Sequence, residues 1–144
     1  MCGINGIISK ESRSYNDLIS IMNTKINHRG PDASGNYIYN NTALGHVRLS
    51  IIDLSEHANQ PFTDDNYSLV YNGEVYNYEE LKVKHQLNCK TSSDTEVIFE
   101  GLKKIGAPFI EELNGMFALA FYNKHTNETL IARDRMGIKP LYVF

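Results

Sequence analysis

Tryptophan is missing from this chain, cysteine occurs only twice, and no apolar stretch approaches the ~20 residues that a membrane span needs. Two thiols, Cys2 and Cys89, do not make a disulfide framework, and their scarcity points to a reducing, cytoplasmic setting. An excess of basic residues is also lacking. Lys and Arg number 14 against 17 Asp and Glu, for a net charge of −3, and the basic residues are scattered. That excludes the electrostatic footprint of a nucleic-acid or anionic-membrane binder. The start, MCGINGIISKES, has neither a basic segment nor a long apolar core, so it does not read as a signal peptide. No internal repeat, low-complexity tract or linker divides the 144 residues, which suits one domain with a full core.

Periodicity supplies the outline. Gly3 to Ser9 reads as a buried strand beginning directly after Cys2. Ser14 and Asp17 suggest a capping box, ahead of Leu18, Ile19, Met22 and Ile26 at helical spacing. Gly30-Pro31 stops that helix. Tyr37 to Tyr39 and Ala43 to Ile52 read as strands around an Asn40-Asn41 turn, followed by a polar loop from Asp53 to Asn66. Tyr67 to Tyr71 is a strand running into Asn72-Gly73, a pair that supplies positive φ cheaply and reads as a turn. Tyr78 to Leu87 and Asp94 to Ile105 are expected helices, the second capped by Ser93. Gly115 to Tyr122 and Thr129 to Arg133 flank a polar hairpin loop. Met116 to Phe121 is apolar on both parities and should be covered on both faces. The tally predicts a layered α+β architecture with mostly antiparallel strands.

Cys2 follows Met1, and its small side chain favours removal of the initiator residue. Removal leaves an α-amino group beside a thiol, with ordinary pKa values of roughly 8 and 8.5. One residue then carries both a nucleophile and a base.

Six segments recur in an informative order: Cys2-Gly3-Ile4, His28 to Asp32, Arg48 to Asp53, Asn72 to Asn77, Ser93 to Glu96, and Arg133 to Leu141. Together they resemble the glutaminase domain of asparagine synthetase, within the class II glutamine amidotransferases, which are N-terminal-nucleophile hydrolases. The resemblance implies a four-layer αββα sandwich of two mostly antiparallel sheets between helices. It implies hydrolysis of the glutamine side-chain amide to glutamate and ammonia through a thioester on Cys2. Asn72 and Gly73 would form the oxyanion hole, from an amide side chain and a backbone N–H. Arg48 would clamp the substrate α-carboxylate through its guanidinium fork. The chain from Arg48 through Leu49, Ser50, Ile51 and Ile52 would line the substrate site, with Glu74 and Asp94 facing the α-ammonium end. Asp94 equally suits a helix N-terminus, where an acidic side chain meets the dipole. His28 to Asp32 reads as a helix terminator and Asp134 to Pro140 as a turn into a strand.

No metal is expected. Asp53-x-x-Glu56-His57 is the nearest thing to a ligand set, and it sits in a loop without a second His. The resemblance implies no cofactor for this domain. It implies ATP and Mg only for a synthetase domain that these residues do not include, joined in cis or working in trans. L-Glutamine and that domain are the expected partners, and a homodimer stays open. Amino-sugar or phosphoribosylamine synthesis remains an alternative destination for the ammonia, as does a non-catalytic glutamine-binding role. The sequence departs from the family between Lys82 and Ser92, where it is short, and at Met136 and His57-Ala58-Asn59. None of these departures touches the candidate nucleophile, clamp or oxyanion hole.

Overall fold

A computed structural model describes residues 2–11, 13–49 and 59–144. Two antiparallel sheets face one another. The first contains β1 (Gly3–Ile8), β2 (Ala33–Tyr39) and β3 (Thr42–Arg48) in the order β1-β3-β2. The second contains β4 (Phe62–Thr63), β5 (Tyr67–Val75), β6 (Gly115–Asn123) and β7 (Glu128–Arg133) in sequence order. One helix, α1 (Asn16–Ile26), covers the first sheet; α2 (Tyr78–Lys84) and α3 (Asp94–Ile105) cover the second. This is the expected α+β sandwich, layered αββα.

Side-chain alternation sorts the layers. Leu44 of β3, with Ile4 and Tyr37, meets Val70, Ala120 and Tyr122 between the sheets. The opposite parity of β5 and β6 places Leu69, Tyr71, Val75, Phe117, Leu119 and Phe121 under α2 and α3. Met116 to Phe121 is therefore covered on both faces, as its unbroken apolar run predicts. Every residue of β3 is buried, because it is the central strand and has a sheet on one side and α1 on the other.

The local signals hold unevenly. α3 spans Asp94–Ile105 as expected, and the Ser93 hydroxyl accepts the Glu96 N–H at 3.2 Å. Asn40 takes φ of 49° in the β2–β3 hairpin. The capping box at Ser14 does not form. α1 begins at Asn16 without a side-chain cap, and the buried Tyr15 ring sets its start by packing with Ile19 and Ala43. α2 ends at Lys84 rather than Leu87, because Gln86 adopts φ of 49° and turns Leu87 into the core. The loop expected from Asp53 to Asn66 contains the two-residue strand β4. Asn72-Gly73 is not a turn: both residues lie inside β5 with no positive φ. After Asp134, the chain turns at Gly137 with φ of 66°, and residues 141–144 form no strand.

Candidate active site

The register that pairs Gly3 with Val47 carries Cys2 to the end of β3, opposite Arg48. The Leu49 N–H points at the Cys2 sulfur, 3.4 Å away, and the thiol lies 3.8 Å from the Leu49 carbonyl. Arg29, in the short 3-10 turn Asn27–Arg29, donates from Nε to the Cys2 carbonyl at 3.2 Å. The half-buried Cys2 is thus held on both sides. This gives His28 to Asp32 a definite place. A Cβ on Gly30 would meet the Val47 and Arg48 backbone at 2.6 Å, so only glycine lets the turn lie against β3. Pro31 bridges to Arg48, and the Asp32 N–H donates to the Arg48 carbonyl at 3.0 Å.

Arg48 is buried, and its Nη1 donates to the Asn59 carbonyl oxygen Oδ1 at 2.7 Å. Two residues earlier, on the same side of β3, His46 is buried between the sheets, and its Nε2 has no hydrogen-bond partner among the described residues. Burial, and then the Arg48 charge, lower its pKa to about 4, against a smaller opposing effect of a hydrogen bond with the Tyr71 backbone. The ring is neutral near pH 7. Ser50, Ile51 and Ile52 lie outside the described residues, as do Asp53, Glu56 and His57. Among the described residues, no three His, Cys, Asp or Glu side chains gather as a metal site.

β5 supplies the next part. Asn72 shares the parity of Val70, so its side chain faces the first sheet, and it is buried. Gly73 is opposite Phe117 on β6, and a Cβ there would come within 2.2 Å of the Met116 carbonyl. Glycine therefore serves close strand approach here. Phe117 gives both its backbone groups to Asp134: its N–H donates to Oδ2 at 3.2 Å, and its carbonyl accepts the Asp134 N–H at 2.8 Å. Gly73 and Phe117 are consequently a non-hydrogen-bonded pair, and the Gly73 N–H points to the opposite edge of β5. Among the described residues no strand pairs with that edge at Gly73, because β4 covers only Ser68 and Leu69.

Side chains finish the edge on either side of Gly73. The Tyr71 N–H donates to Gln60 Oε1 at 2.6 Å, and the Val75 N–H donates to Asp94 Oδ2 at 3.1 Å. Between them, the Gly73 N–H has no partner among the described residues. Asp94 Oδ2 also accepts the Tyr71 hydroxyl at 2.7 Å. Burial, followed by the adjacent Asp94 charge, pushes the Tyr71 phenol well above its usual range, so it stays a donor. Glu74 is exposed near the end of β5.

The structure thus gathers Cys2, Arg48 and Leu49 at one end of the first sheet. It aligns Asn72, Gly73 and Asp94 along β5. Sequence reasoning missed Arg29, His46, Gln60 and Tyr71. Arg29 stood inside a motif already singled out, whereas nothing local marked Gln60 or Tyr71. Asp134 anchors the last motif. Desolvation raises its pKa, but N–H donors from Lys139, Ile138 and Phe117 outweigh it and hold the carboxyl below its ordinary value. No helix among the described residues is long and apolar enough to cross a membrane.

A protein of Methanocaldococcus jannaschii, provisionally named a glutamine-hydrolysing asparagine synthetase, is 43% identical over 164 aligned residues, covering 100% of this chain and 32% of that protein. Asparagine synthetase B of Escherichia coli is 36% identical across 99% of this chain and 27% of its own length. The chain thus spans about a third or less of these relatives. Among solved structures, the glutamine phosphoribosylpyrophosphate amidotransferase of Bacillus subtilis superposes with a TM-score of 0.76 over 95% of this chain and 38% of its own, at 20% identity. That likeness is one of fold. The model of the glutamine amidotransferase domain matches residues 1–144. With that match running from end to end, the chain belongs to the glutamine amidotransferase domain family.

Proposed function

We propose that this chain hydrolyses the side-chain amide of L-glutamine with Cys2 as nucleophile, and that the ammonia serves asparagine synthesis. The observation that carries the reading is the Gly73 N–H, which has no partner among the described residues, lies beside Asn72 and is flanked by the Asp94 carboxylate. Removal of Met1 frees the Cys2 α-amino group, which takes the thiol proton. Sulfur adds to the amide carbonyl, and the Gly73 N–H and Asn72 amide stabilise the oxyanion. The C–N bond breaks, the α-ammonium group returns a proton, and ammonia leaves a glutamyl thioester. Water adds to the thioester, the C–S bond breaks, and glutamate departs with Cys2 restored. Arg48 holds the substrate carboxylate, and Asp94 with Glu74 the ammonium, while Leu49 lines the pocket.

The names of the two sequence relatives support asparagine synthesis over an amino-sugar or phosphoribosylamine destination. The ammonia-consuming step, which uses aspartate, ATP and Mg, is assigned to a synthetase domain outside these residues.

The test is glutamate release from glutamine, on protein whose N-terminus is established by mass spectrometry. Cys2→Ala should reduce the rate by at least about 10³-fold while leaving the thermal midpoint unchanged. An electrophilic glutamine analogue should label Cys2 and spare Cys89, whose thiol is pushed up to about 11, first by burial and then by Glu96. Processed, folded protein that releases no glutamate would overturn the reading.

A further inference from the structure

We propose that Tyr71 is a positioning residue that fixes Asp94 relative to the Gly73 N–H, and so sets the length of the amide side chain the site accepts. The proposal rests on the glutaminase reading above and assigns that site's discrimination to a specific contact.

Three observations define the device. Asp94 Oδ2 accepts from both the Tyr71 hydroxyl, at 2.7 Å, and the Val75 N–H, at 3.1 Å. The two donors belong to one strand and lie on either side of Gly73. Asp94 is the first residue of α3, and the neighbouring Val97, Ile98 and Phe99 are buried in the core that also contains Tyr71. The carboxylate is therefore bonded to β5 at two points while its own helix is anchored by packing. Its Oδ1 accepts no hydrogen bond among the described residues and is available to an ammonium group.

The spacing suits glutamine. N–H groups two residues apart on one edge of a strand are separated by about 7 Å. Asp94 at the Val75 N–H thus stands roughly one such step from the Gly73 N–H. An extended glutamine places its amide and α-ammonium groups at comparable separation. Asparagine is one methylene shorter and cannot reach both at once. A carboxylate held by the Val75 N–H alone could swing about its χ torsions and follow a shorter ligand. The Tyr71 hydroxyl removes that freedom. Its phenol remains protonated, since burial and then the Asp94 charge oppose ionisation.

Tyr71→Phe deletes the hydroxyl and leaves the ring in the core, so the fold should survive. Steady-state kinetics with glutamine and with asparagine, on processed wild-type and variant protein, test the proposal. The KM for glutamine should rise about tenfold with kcat within about twofold, because the lost contact orients the binding group rather than the reacting atoms. The preference for glutamine over asparagine, as the ratio of kcat/KM values, should fall by a similar factor. The rate of Cys2 alkylation by iodoacetamide, which has no α-ammonium group, should be unchanged. A folded, active variant with unaltered KM and unaltered preference overturns the proposal alone. So does a fall in kcat at constant KM. Wild-type protein that releases no glutamate overturns the glutaminase reading instead.

Discussion

On the outer face of the four-stranded sheet, α2 and α3 press Leu81, Val97, Phe99 and Leu102 against Leu69, Tyr71 and Phe121, with Phe109 buried beside them. On the outer face of the three-stranded sheet, a smaller cluster forms: Ile19 and the half-buried Met22 of α1, with Tyr15 just before it, pack on Ala43, Ile7 and Ile38, and α1 also buries the polar Asn23. Asn23 Oδ1 accepts the Asn5 amide at 2.7 Å. Its two Nδ2 hydrogens are shared among Ser34 Oγ, the Gly35 carbonyl and Asn36 Oδ1, at 3.0, 3.1 and 2.7 Å. Gly45 of β3 lies directly beneath, where a Cβ would come within 2.5 Å of the Asn23 and Asn5 amide oxygens. The aromatic cover is non-directional and carries most of the apolar burial. The amide cover is directional and ties α1 to the strands that lead to Cys2 and Arg48. Stability and placement of the candidate nucleophile are thus drawn from different halves of the molecule.

The comparison can be broken in three places. The largest effect is expected in the aromatic half. Phe109→Ala removes a ring with 0% exposure and should cost about 4 kcal/mol, read by denaturant unfolding. Below its unfolding midpoint the variant should keep the wild-type KM for glutamine; a large KM change there would mean that the two halves are not separable.

Acid should act on the layer between the sheets. His46 has a folded pKa of about 4 against 6.5 for an ordinary histidine, so the unfolded chain takes up the proton first as pH falls. Its contribution is complete near neutral pH, declines below about 6.5, and is exhausted near 4. The loss should be at most about 3 kcal/mol. Unfolding free energies measured at successive pH values should show this slope, and His46→Leu should flatten it. An identical slope in the variant would mean that other groups carry the acid sensitivity.

The smallest stability effect belongs to the amide half. Asn23→Ala strands several polar groups and should cost about 2 kcal/mol. Its effect on catalysis should exceed that of Phe109→Ala, with kcat lowered up to ~100-fold through displacement of β1 and β3. An unaffected kcat would show that Arg29 and the Leu49 contact suffice to place Cys2.

Elements whose cause is local were legible beforehand. Ser93 caps α3 because its hydroxyl reaches a backbone N–H three residues on. The two-faced burial of β6 follows from its unbroken apolar run. Ser14 shows the limit of such signals. A local cap competed with the burial of Tyr15, and burial decided where α1 starts. Asn72-Gly73 shows another. The pair is common in turns, yet the pairing of β5 with β6 holds both residues in extended conformation. Each candidate site residue was nameable from a motif, but the contacts that position them were not.

Residue type and order alone established that a thiol stands directly after Met1, and that the companion motifs of an amidotransferase follow in sequence. They established most strands and α3, because alternation and capping act over a few residues. Tertiary structure decided the rest. It started β4 only at Phe62, so that among the described residues no strand covers the edge of β5 at the Gly73 N–H. It set Tyr71 against Asp94, 23 residues away, and Cys2 against Leu49, 47 residues away. These contacts form only when whole sheets and helices pack, since no local pattern records which N–H is left without a partner.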